Sequence, residues 1–239
     1  MMDLAIYNTV PKVFWYHVEN HTDDISIWHK QKGLWESKTW GEYGEYVKDI
    51  ANALLDAGIQ KGDKVSVISL TRFEWVVVDL AIMSIGAVTA PVYPSNTDDQ
   101  VKYIVDHSQS KFVFGEDQEQ LDKILGIWKD LPSINQLVIF EKYFPTKIEN
   151  VISLKSFREN GKSYGLKNPD ELEKRIQEGN PKDLISFIYT SGTTGHPKAG
   201  MINSDNVLAV VKHLPQIYGI SEKDSIILIY LYRILQNEI

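Results

Sequence analysis

Short apolar runs and longer helical segments alternate along residues 40–140. Four short runs have the length and composition of buried strands: residues 65–70, 88–92, 112–114 and 136–140. Three longer segments between them have the apolar spacing of helices: residues 74–85, 98–107 and 118–128. This alternation predicts an α/β fold, with a mostly parallel sheet flanked by helices.

One further helix is predicted ahead of the first of these strands. Thr39 and Glu42 have the spacing of a capping box, which marks the beginning of a helix. Apolar residues then recur at helical intervals until Gly58, and a glycine at that point is typical of a C-terminal cap. The helix should therefore begin after Thr39 and end just before Gly58.

The chain becomes more polar after residue 140. Within residues 145–181, the segments 152–158 and 169–179 are predicted to be helices. The apolar residues 184–189 follow and form the next predicted strand. This strand leads directly into the segment with the most distinctive chemistry in the sequence.

Composition limits the classes of partner and chemistry. The 239 residues are 43% hydrophobic and 24% charged, as in a globular protein with a sizeable core. A net charge of −7 and the lack of a basic stripe exclude nucleic acid as the main partner. An acidic chain that binds an anion must do so locally, through backbone amides and a few cations. The absence of cysteine excludes disulfides, thiolate metal sites and cysteine nucleophiles.

The longest apolar run, residues 75–93, approaches the length of a membrane span. Asp79, Gly86 and Pro91 interrupt it, and a charged residue inside a span is costly. A buried helix followed by a buried strand is therefore predicted, with no transmembrane span. The first residues do not have the pattern of a signal peptide, so the expected location is cytoplasmic. Peripheral association with a membrane is left open.

Residues 189–200 read Tyr-Thr-Ser-Gly-Thr-Thr-Gly-His-Pro-Lys-Ala-Gly. Glycines let the backbone approach a ligand closely, and successive amides form a donor site suited to phosphate oxygens. Lys198 adds a cation on a flexible stem. The motif differs from the P-loop of NTPases, because Pro197 stands before the lysine and Ala199 after it. A phosphate-binding loop is favoured over a surface turn rich in small polar residues.

The pattern Tyr-Thr-Ser-Gly-Thr-Thr-Gly-x-Pro-Lys closely resembles the phosphate loop of the adenylate-forming, or AMP-binding, enzymes. That superfamily includes acyl-CoA synthetases, luciferases and peptide-synthetase adenylation domains. Similar patterns recur along nearly the whole chain, among them Thr39-Trp40-Gly41-Glu42-Tyr43 and Pro91-Val92-Tyr93-Pro94. The Gly33-x-Trp35 pattern looks most like the long-chain fatty acyl-CoA synthetases. The fold implied by the resemblance is the N-terminal part of the large domain of these enzymes.

The resemblance implies an ATP-dependent long-chain fatty acid–CoA ligase, which converts fatty acid, ATP and CoA into acyl-CoA, AMP and pyrophosphate. Mg2+ would accompany ATP, and fatty acid, ATP and CoA would be the partners of the intact enzyme. The implied contacts to the leaving pyrophosphate are Thr190, Ser191, Gly192, Thr193, Thr194, Gly195 and Lys198. Neither an acid–base catalyst nor a protein metal site is expected within this segment.

Two pairs of residues depart from the family pattern just after the loop. The family has glycine and valine after the lysine, where this chain has Ala199 and Gly200. A serine–histidine pair follows in the family, where this chain has Asn203 and Ser204. These changes affect the expected strength of nucleotide binding. The prediction that the loop binds phosphate is kept.

The resemblance also raises a hypothesis about the end of the chain. Relatives read Ser-Tyr-Leu-Pro-Leu-Ser-His-Ile-Ala-Glu where this chain runs from Leu228 to Asn237. Codons allowed for Leu228 to Asn237 encode that family sequence when they are read one base earlier. A frameshift near Ile227, either a sequencing error or a genuine lesion, is therefore expected. Residues 1–227 would form a partial AMP-binding domain and residues 228–239 an out-of-frame tail, with the small C-terminal domain of the family absent.

Several alternatives stay open. The chain as written is expected to be inactive alone, as a non-catalytic remnant or as a phosphate-binding half-module that meets its other half on another chain. Within the family, the substrate could instead be a shorter or an aryl carboxylic acid. His17 and His21 lie four residues apart, but a solvated helix surface is favoured over a metal site that needs a third ligand.

Overall fold

The computed structural model describes residues 3, 5–31, 33–141, 148–190, 197–219, 221 and 224. The first part of the chain forms a helix, a hairpin and a second helix: α1 (Val10–Asn20), β1 (Ile25–Gln31), β2 (Leu34–Thr39) and α2 (Trp40–Asp56). The central part alternates strands and helices: β3 (Lys64–Ile68), α3 (Phe73–Ser84), β4 (Val88–Val92), α4 (Asp98–Ser108), β5 (Ser110–Gly115), α5 (Gln118–Ile127), a 3-10 turn (Trp128–Asp130) and β6 (Gln136–Ile139). The last part contains β7 (Val151–Ser153), α6 (Leu154–Lys167), α7 (Glu171–Gln177), β8 (Leu184–Thr190), β9 (Lys198–Asn203) and α8 (Ser204–Tyr218).

Seven of the described strands form one sheet in the order β7-β6-β5-β3-β4-β8-β9. Every neighbouring pair is parallel except β8 and β9, which run antiparallel. Helices cover both faces, so the predicted α/β fold with a mostly parallel sheet is confirmed. The hairpin β1–β2 forms a separate two-stranded sheet.

The two faces of the sheet form two cores. Phe112 and Phe114 of β5 pack into the core that α2, α3 and α6 cover. Val113, between them, faces the opposite core under α4 and α5. Because successive side chains of a strand point to opposite faces, a strand covered on both sides is mostly apolar on both of them. This is why the central strands appear in the sequence as mainly apolar runs, in which the buried polar residues, such as Ser66 and Thr89, are small.

The predicted limits of α2 are confirmed by its capping contacts. Glu42 N donates to Thr39 Oγ1 at 3.2 Å, and Thr39 N donates to Glu42 Oε2 at 3.0 Å. At the other end Gly58 has a φ of 81°, and the amide of Ile59 donates to the carbonyl of Leu54 at 3.0 Å. That bond belongs to a Schellman motif, which requires the left-handed backbone that glycine adopts easily.

One predicted helix begins later in the structure than expected, and two elements of the structure were not predicted. Residues 152–158 were expected to be helical, but Val151–Ser153 form β7, and the helix begins at Leu154. The sheet decides this, because Val138 of β6 pairs with Ile152. Sequence patterning also did not predict β9 or α8. The expected tail, residues 228–239, lies outside the described residues, so the domain limits remain a prediction.

The long apolar run divides as expected into a helix and a strand. Residues Phe73–Ser84 form α3 and Val88–Val92 form β4, with Gly86 at a φ of 76° between them. Across the described ranges of the chain, no helix is both long enough and apolar enough to cross a membrane.

Candidate functional site

The predicted phosphate loop joins two paired strands. β8 ends at Thr190, and β9 begins at Lys198 and runs back beside it. Thr190 and Lys198 are cross-strand partners, and Tyr189 pairs with Ala199 in the same register. The side chains of Thr190 and Lys198 are both exposed. The chain therefore leaves β8 and enters β9 at one point on the sheet, at the carboxyl end of β8.

The structure brings together two of the residues predicted to contact pyrophosphate, Thr190 and Lys198. The other predicted contacts lie outside the described residues: Ser191, Gly192, Thr193, Thr194 and Gly195. Their roles stay predictions, drawn from the resemblance of the motif. Of the predicted contacts, the structure describes the first and the last, Thr190 and Lys198.

Two side chains of α4 contact the strands at the base of this loop. Tyr103 Oη donates a hydrogen bond to the carbonyl oxygen of Pro197 at 3.0 Å. His107 Nδ1 and Tyr189 Oη share a hydrogen bond of 2.9 Å. The rings of Tyr103 and His107 stack, with centroids 5.3 Å apart and planes 27° apart. Neither residue was predicted as part of the site, although their spacing of four places them on one face of a helix.

Tyr189 is the buried member of this group, with 9% of its surface exposed. Burial raises the pKa of Tyr189 to about 12, and nearby Tyr103 adds to the rise while a hydrogen bond with Ser108 opposes it. The phenol is therefore neutral at physiological pH, and it keeps its hydrogen for hydrogen bonding.

An open groove of about 650 Å³ runs between α4 and the β8–β9 pair. Its apolar lining includes Phe187 and Met201, and Lys64 and Lys198 also line it. Among the described residues, neither Lys64 nor Lys198 takes part in an ion pair. In an acidic chain this surface is locally cationic, which favours an anion beside Lys198.

The usual ligand position of a doubly wound sheet holds an ion-pair network instead. The connections that leave β3 and β5 run in opposite directions, which makes the crevice between their carboxyl ends a typical binding position. Arg72 contacts Glu116 at 3.1 Å and Glu74 at 2.7 Å there, and Glu116 also accepts from the amide of Leu70 at 2.8 Å. The loop after β8 is therefore the better candidate for phosphate.

His17 of α1 and His21, which directly follows that helix, are engaged in ring packing. The rings of His17 and His21 have centroids 5.3 Å apart, and His17 stacks on Trp40 at 4.8 Å. Burial lowers the pKa of His17, and the charge of His21 lowers it further. In the part of the chain that the structure describes, no group of three or more His, Cys, Asp or Glu residues could hold a metal ion.

Comparisons with known proteins agree with the motif and the fold. The family model described as "AMP-binding enzyme" matches residues 14–232. A long-chain-fatty-acid–CoA ligase of Rattus norvegicus is 28% identical over 200 residues, which cover 83% of this chain and 27% of that protein. One from Mycobacterium bovis is 27% identical over 206 residues, covering 86% of this chain and 33% of that protein. The chain thus spans about a third or less of the length of these relatives.

Solved structures show the same fold. The anthranilate CoA ligase AuaEII, in complex with anthranoyl-AMP, superposes with a TM-score of 0.72 at 18% identity, covering 88% of this chain and 38% of that one. The luciferase-like enzyme of Zophobas morio gives a TM-score of 0.69 at 18% identity, covering 85% of this chain and 44% of that one. With the family model matched from residue 14 to residue 232, the chain belongs to the AMP-binding enzyme family.

Proposed function

We propose that this chain is the phosphate-binding part of an ATP-dependent long-chain fatty acid–CoA ligase. The reaction joins a fatty acid to CoA and converts ATP to AMP and pyrophosphate. The observation that carries the proposal is the cross-strand pairing of Thr190 with Lys198 at the carboxyl end of β8. The names of the relatives supply the fatty-acid substrate, since they are long-chain-fatty-acid–CoA ligases.

The proposed chemistry depends on positioning and charge. In the first step the fatty-acid carboxylate attacks the α-phosphate of ATP, and pyrophosphate leaves. Transfer at phosphorus is accelerated mainly by alignment and by neutralisation of the charge on the phosphate oxygens. Lys198 would neutralise charge on the pyrophosphate, and Thr190 together with residues 191–195 would donate hydrogen bonds. Mg2+ would be bound together with ATP, as its counter-ion.

CoA takes part in the second step, in which its thiol attacks the acyl-adenylate and releases AMP. We assign the acyl, adenine and CoA contacts to parts of the relatives that this chain does not match. Since the matched region is 27% or 33% of those proteins, we propose that residues 1–227 bind phosphate but do not complete the reaction alone. A ligase assay of the purified chain with a long-chain fatty acid, ATP and CoA tests this, and measurable turnover would contradict it.

The frameshift near Ile227 is part of the same proposal. It is tested by sequencing the gene across the codons for residues 220–239 and beyond. An extra or missing base that restores Pro-Leu-Ser-His would support the out-of-frame tail at residues 228–239. Codons that cannot encode the family sequence in the neighbouring frame would refute it.

Phosphate binding is tested with inorganic pyrophosphate and the purified chain. Replacement of Lys198 by Gln removes the cation, and we expect roughly tenfold weaker binding, as for a lost charge-assisted hydrogen bond. Lys182→Gln is the matched control, because Lys182 is also exposed and stands on the turn before β8. Equal affinities for both variants would contradict the assignment of Lys198.

We also propose a cytoplasmic protein that contacts membranes peripherally. Trp28 and Trp35 of the hairpin are 53% and 55% exposed, and the Lys30 ammonium lies 5.3 Å from the Trp35 ring. Exposed indole rings beside a cation favour the interface of a lipid bilayer. Co-sedimentation with anionic vesicles tests this, and we expect Trp28→Ser combined with Trp35→Ser to reduce the bound fraction. An unchanged bound fraction would contradict it.

A further inference from the structure

Tyr103 and His107 lie one helical turn apart on α4, and each contacts a different segment beside the Thr190–Lys198 pair. Tyr103 bonds to Pro197 beside β9, and His107 bonds to Tyr189 in β8. We propose that these two residues, which we call the α4 clamp, are positioning residues that fix Lys198 relative to Thr190. The inference rests on the proposed phosphate-binding function and adds residues that the loop motif does not contain.

The Tyr103 bond acts on the backbone directly before Lys198. Pro197 has a fixed φ and no amide hydrogen, so its carbonyl is the group by which a side chain can hold it. The bond from Tyr103 Oη reaches that carbonyl from a helix 94 residues earlier in the sequence. Anchoring the peptide group between Pro197 and Lys198 restricts the direction in which the Lys198 side chain extends from β9.

The His107 bond acts on the other side of the loop. Tyr189 stands directly before Thr190 and pairs with Ala199, which directly follows Lys198. A bond that holds the side chain of Tyr189 therefore restrains both the end of β8 and the beginning of β9. The two clamp bonds meet the strands on opposite sides of the Thr190–Lys198 pair.

Ring contacts hold the clamp itself in place. The Tyr103 and His107 rings stack, and the His107 ring meets the Tyr189 ring edge-on, with centroids 5.7 Å apart. Tyr103, His107 and Lys198 all line the groove described above. The clamp therefore lies beside the surface where an anion would meet Lys198, and its two bonds restrain the backbone on both sides of the Thr190–Lys198 pair. Holding binding groups in place in this way raises affinity, because less conformational freedom is lost when the ligand binds.

Removal of one hydroxyl tests the clamp. In Tyr103→Phe the ring is kept and the bond to Pro197 is lost. The matched control is Tyr164→Phe, which loses a tyrosine hydrogen bond of 2.6 Å to Glu171 between α6 and α7. We expect Tyr103→Phe to bind inorganic pyrophosphate roughly three- to tenfold more weakly than the unsubstituted chain, as for the loss of one ordering hydrogen bond. Tyr164→Phe should bind it unchanged.

Amide hydrogen exchange gives a second readout that needs no ligand. Tyr103→Phe should raise exchange at residues 187–190 and 198–201, while Tyr164→Phe leaves these residues unchanged. If the unsubstituted chain binds no pyrophosphate, the proposed function fails, and the exchange data alone decide the clamp. If both variants alter exchange and affinity to the same extent, the effect is one of general stability and the clamp is refuted.

A double-mutant cycle tests the other bond. His107→Leu and Tyr189→Phe each remove one partner of the same hydrogen bond, so their effects on pyrophosphate affinity and exchange should not add. His107→Asn, which keeps a polar group near the position of Nδ1, should restore part of the loss. Additive effects of the two substitutions would show that His107 does not act through Tyr189.

Discussion

Gly161 of α6 packs directly against the backbone carbonyl of Asp49 in α2. A Cβ atom at position 161 would overlap that carbonyl and would also come within 2.8 Å of the amide nitrogen of Ala53. One turn later, Gly165 lies against the side chain of Asn52. Two glycines on one face of α6 thus allow two helices to approach at backbone distance.

Replacement of Gly161 by Ala should destabilise the chain. The added methyl group meets backbone atoms, which cannot move aside as a flexible side chain would, so we expect a loss of about 2 kcal/mol in the free energy of unfolding. Gly126→Ala is the matched control, because a Cβ on this glycine of α5 meets no atom within 4 Å. The control should be neutral or gain about 0.5 kcal/mol from helix propensity. Urea denaturation of both variants measures the difference, and equal effects would contradict the close packing.

This pair also shows what sequence patterns could and could not predict. The limits of α2 follow from Thr39, Glu42 and Gly58, because capping depends on neighbours in the chain. The glycines of α6 are unfavourable for a helix when judged locally, and only contact with α2 explains them. Local sequence patterns predict individual helices and strands. Contacts between elements that are far apart in the sequence can be identified only from the folded structure.

The same division holds at the candidate site. The motif predicted Thr190 and Lys198 as neighbours of phosphate, and both lie together at the carboxyl end of β8. β9 was not predicted, because Gly200 and the exposed Met201 weaken the alternation of apolar and polar residues that indicates a strand. Its pairing with β8 determines its structure. Tyr103 and His107 were missed because their partners lie 94 and 82 residues away.

Arg158 compensates a buried carboxylate between α6 and α2. Its Nη2 donates to Asp49 Oδ2 at 2.6 Å, and its guanidinium lies 3.6 Å from the ring centroid of Tyr46. Burial raises the pKa of Asp49, and the charge and hydrogen bond of Arg158 oppose that rise. Arg158→Leu should therefore leave an uncompensated charge and lower the free energy of unfolding by about 3 kcal/mol at neutral pH.

The loss in Arg158→Leu should depend on pH. Without Arg158, the pKa of Asp49 in the folded state lies further above its value in the unfolded state. The free energy of unfolding therefore decreases as pH rises from the unfolded-state pKa to the folded-state pKa. Urea denaturation at pH 4 and pH 7 should show the larger loss at pH 7. The double substitution with Asp49→Asn should recover part of the stability at pH 7. A loss that is equal at both pH values would indicate that packing on Tyr46, and not charge, is what Arg158 provides.

Asp79 should make stability depend on pH in the same direction. Burial raises the pKa of Asp79 to about 7, and the hydrogen bond from Thr89 Oγ1, 2.6 Å long, opposes the rise. A carboxyl group whose folded pKa exceeds the unfolded value binds its proton more tightly when folded. Stability therefore falls as pH increases from the unfolded pKa, about 3.9, to about 7. The total loss across this interval is up to about 4 kcal/mol.

Asp79→Asn removes this titration and keeps an acceptor for Thr89. Relative to the unsubstituted chain, the variant should gain stability between pH 5 and pH 8, as measured by urea denaturation at both values. Asp122→Asn, on the exposed face of α5, is the control and should show no such gain. A stability difference between Asp79→Asn and the unsubstituted chain that stays constant with pH would show that Asp79 titrates normally in the folded protein.

Exposed apolar side chains at the β9 end of the sheet should cause self-association. β9 is the last strand of the described sheet, and Met201 on it is 65% exposed. Val210 and Ile217 of the following helix are 58% and 70% exposed. An edge strand with exposed apolar residues is a template for pairing with another copy. We expect concentration-dependent oligomers in sedimentation velocity, together with binding of a hydrophobic dye.

Met201→Lys should reduce this association, because a charged side chain on an edge strand opposes pairing with a second chain. Leu166→Lys is the matched control, since Leu166 is 86% exposed on α6 and belongs to neither β9 nor α8. It removes a similar apolar area but leaves the edge strand unchanged, so the oligomers should persist. If both variants reduce association equally, exposed apolar area in general causes it and the edge strand has no special role. If the unsubstituted chain remains monomeric at high concentration and binds no dye, the association itself is refuted.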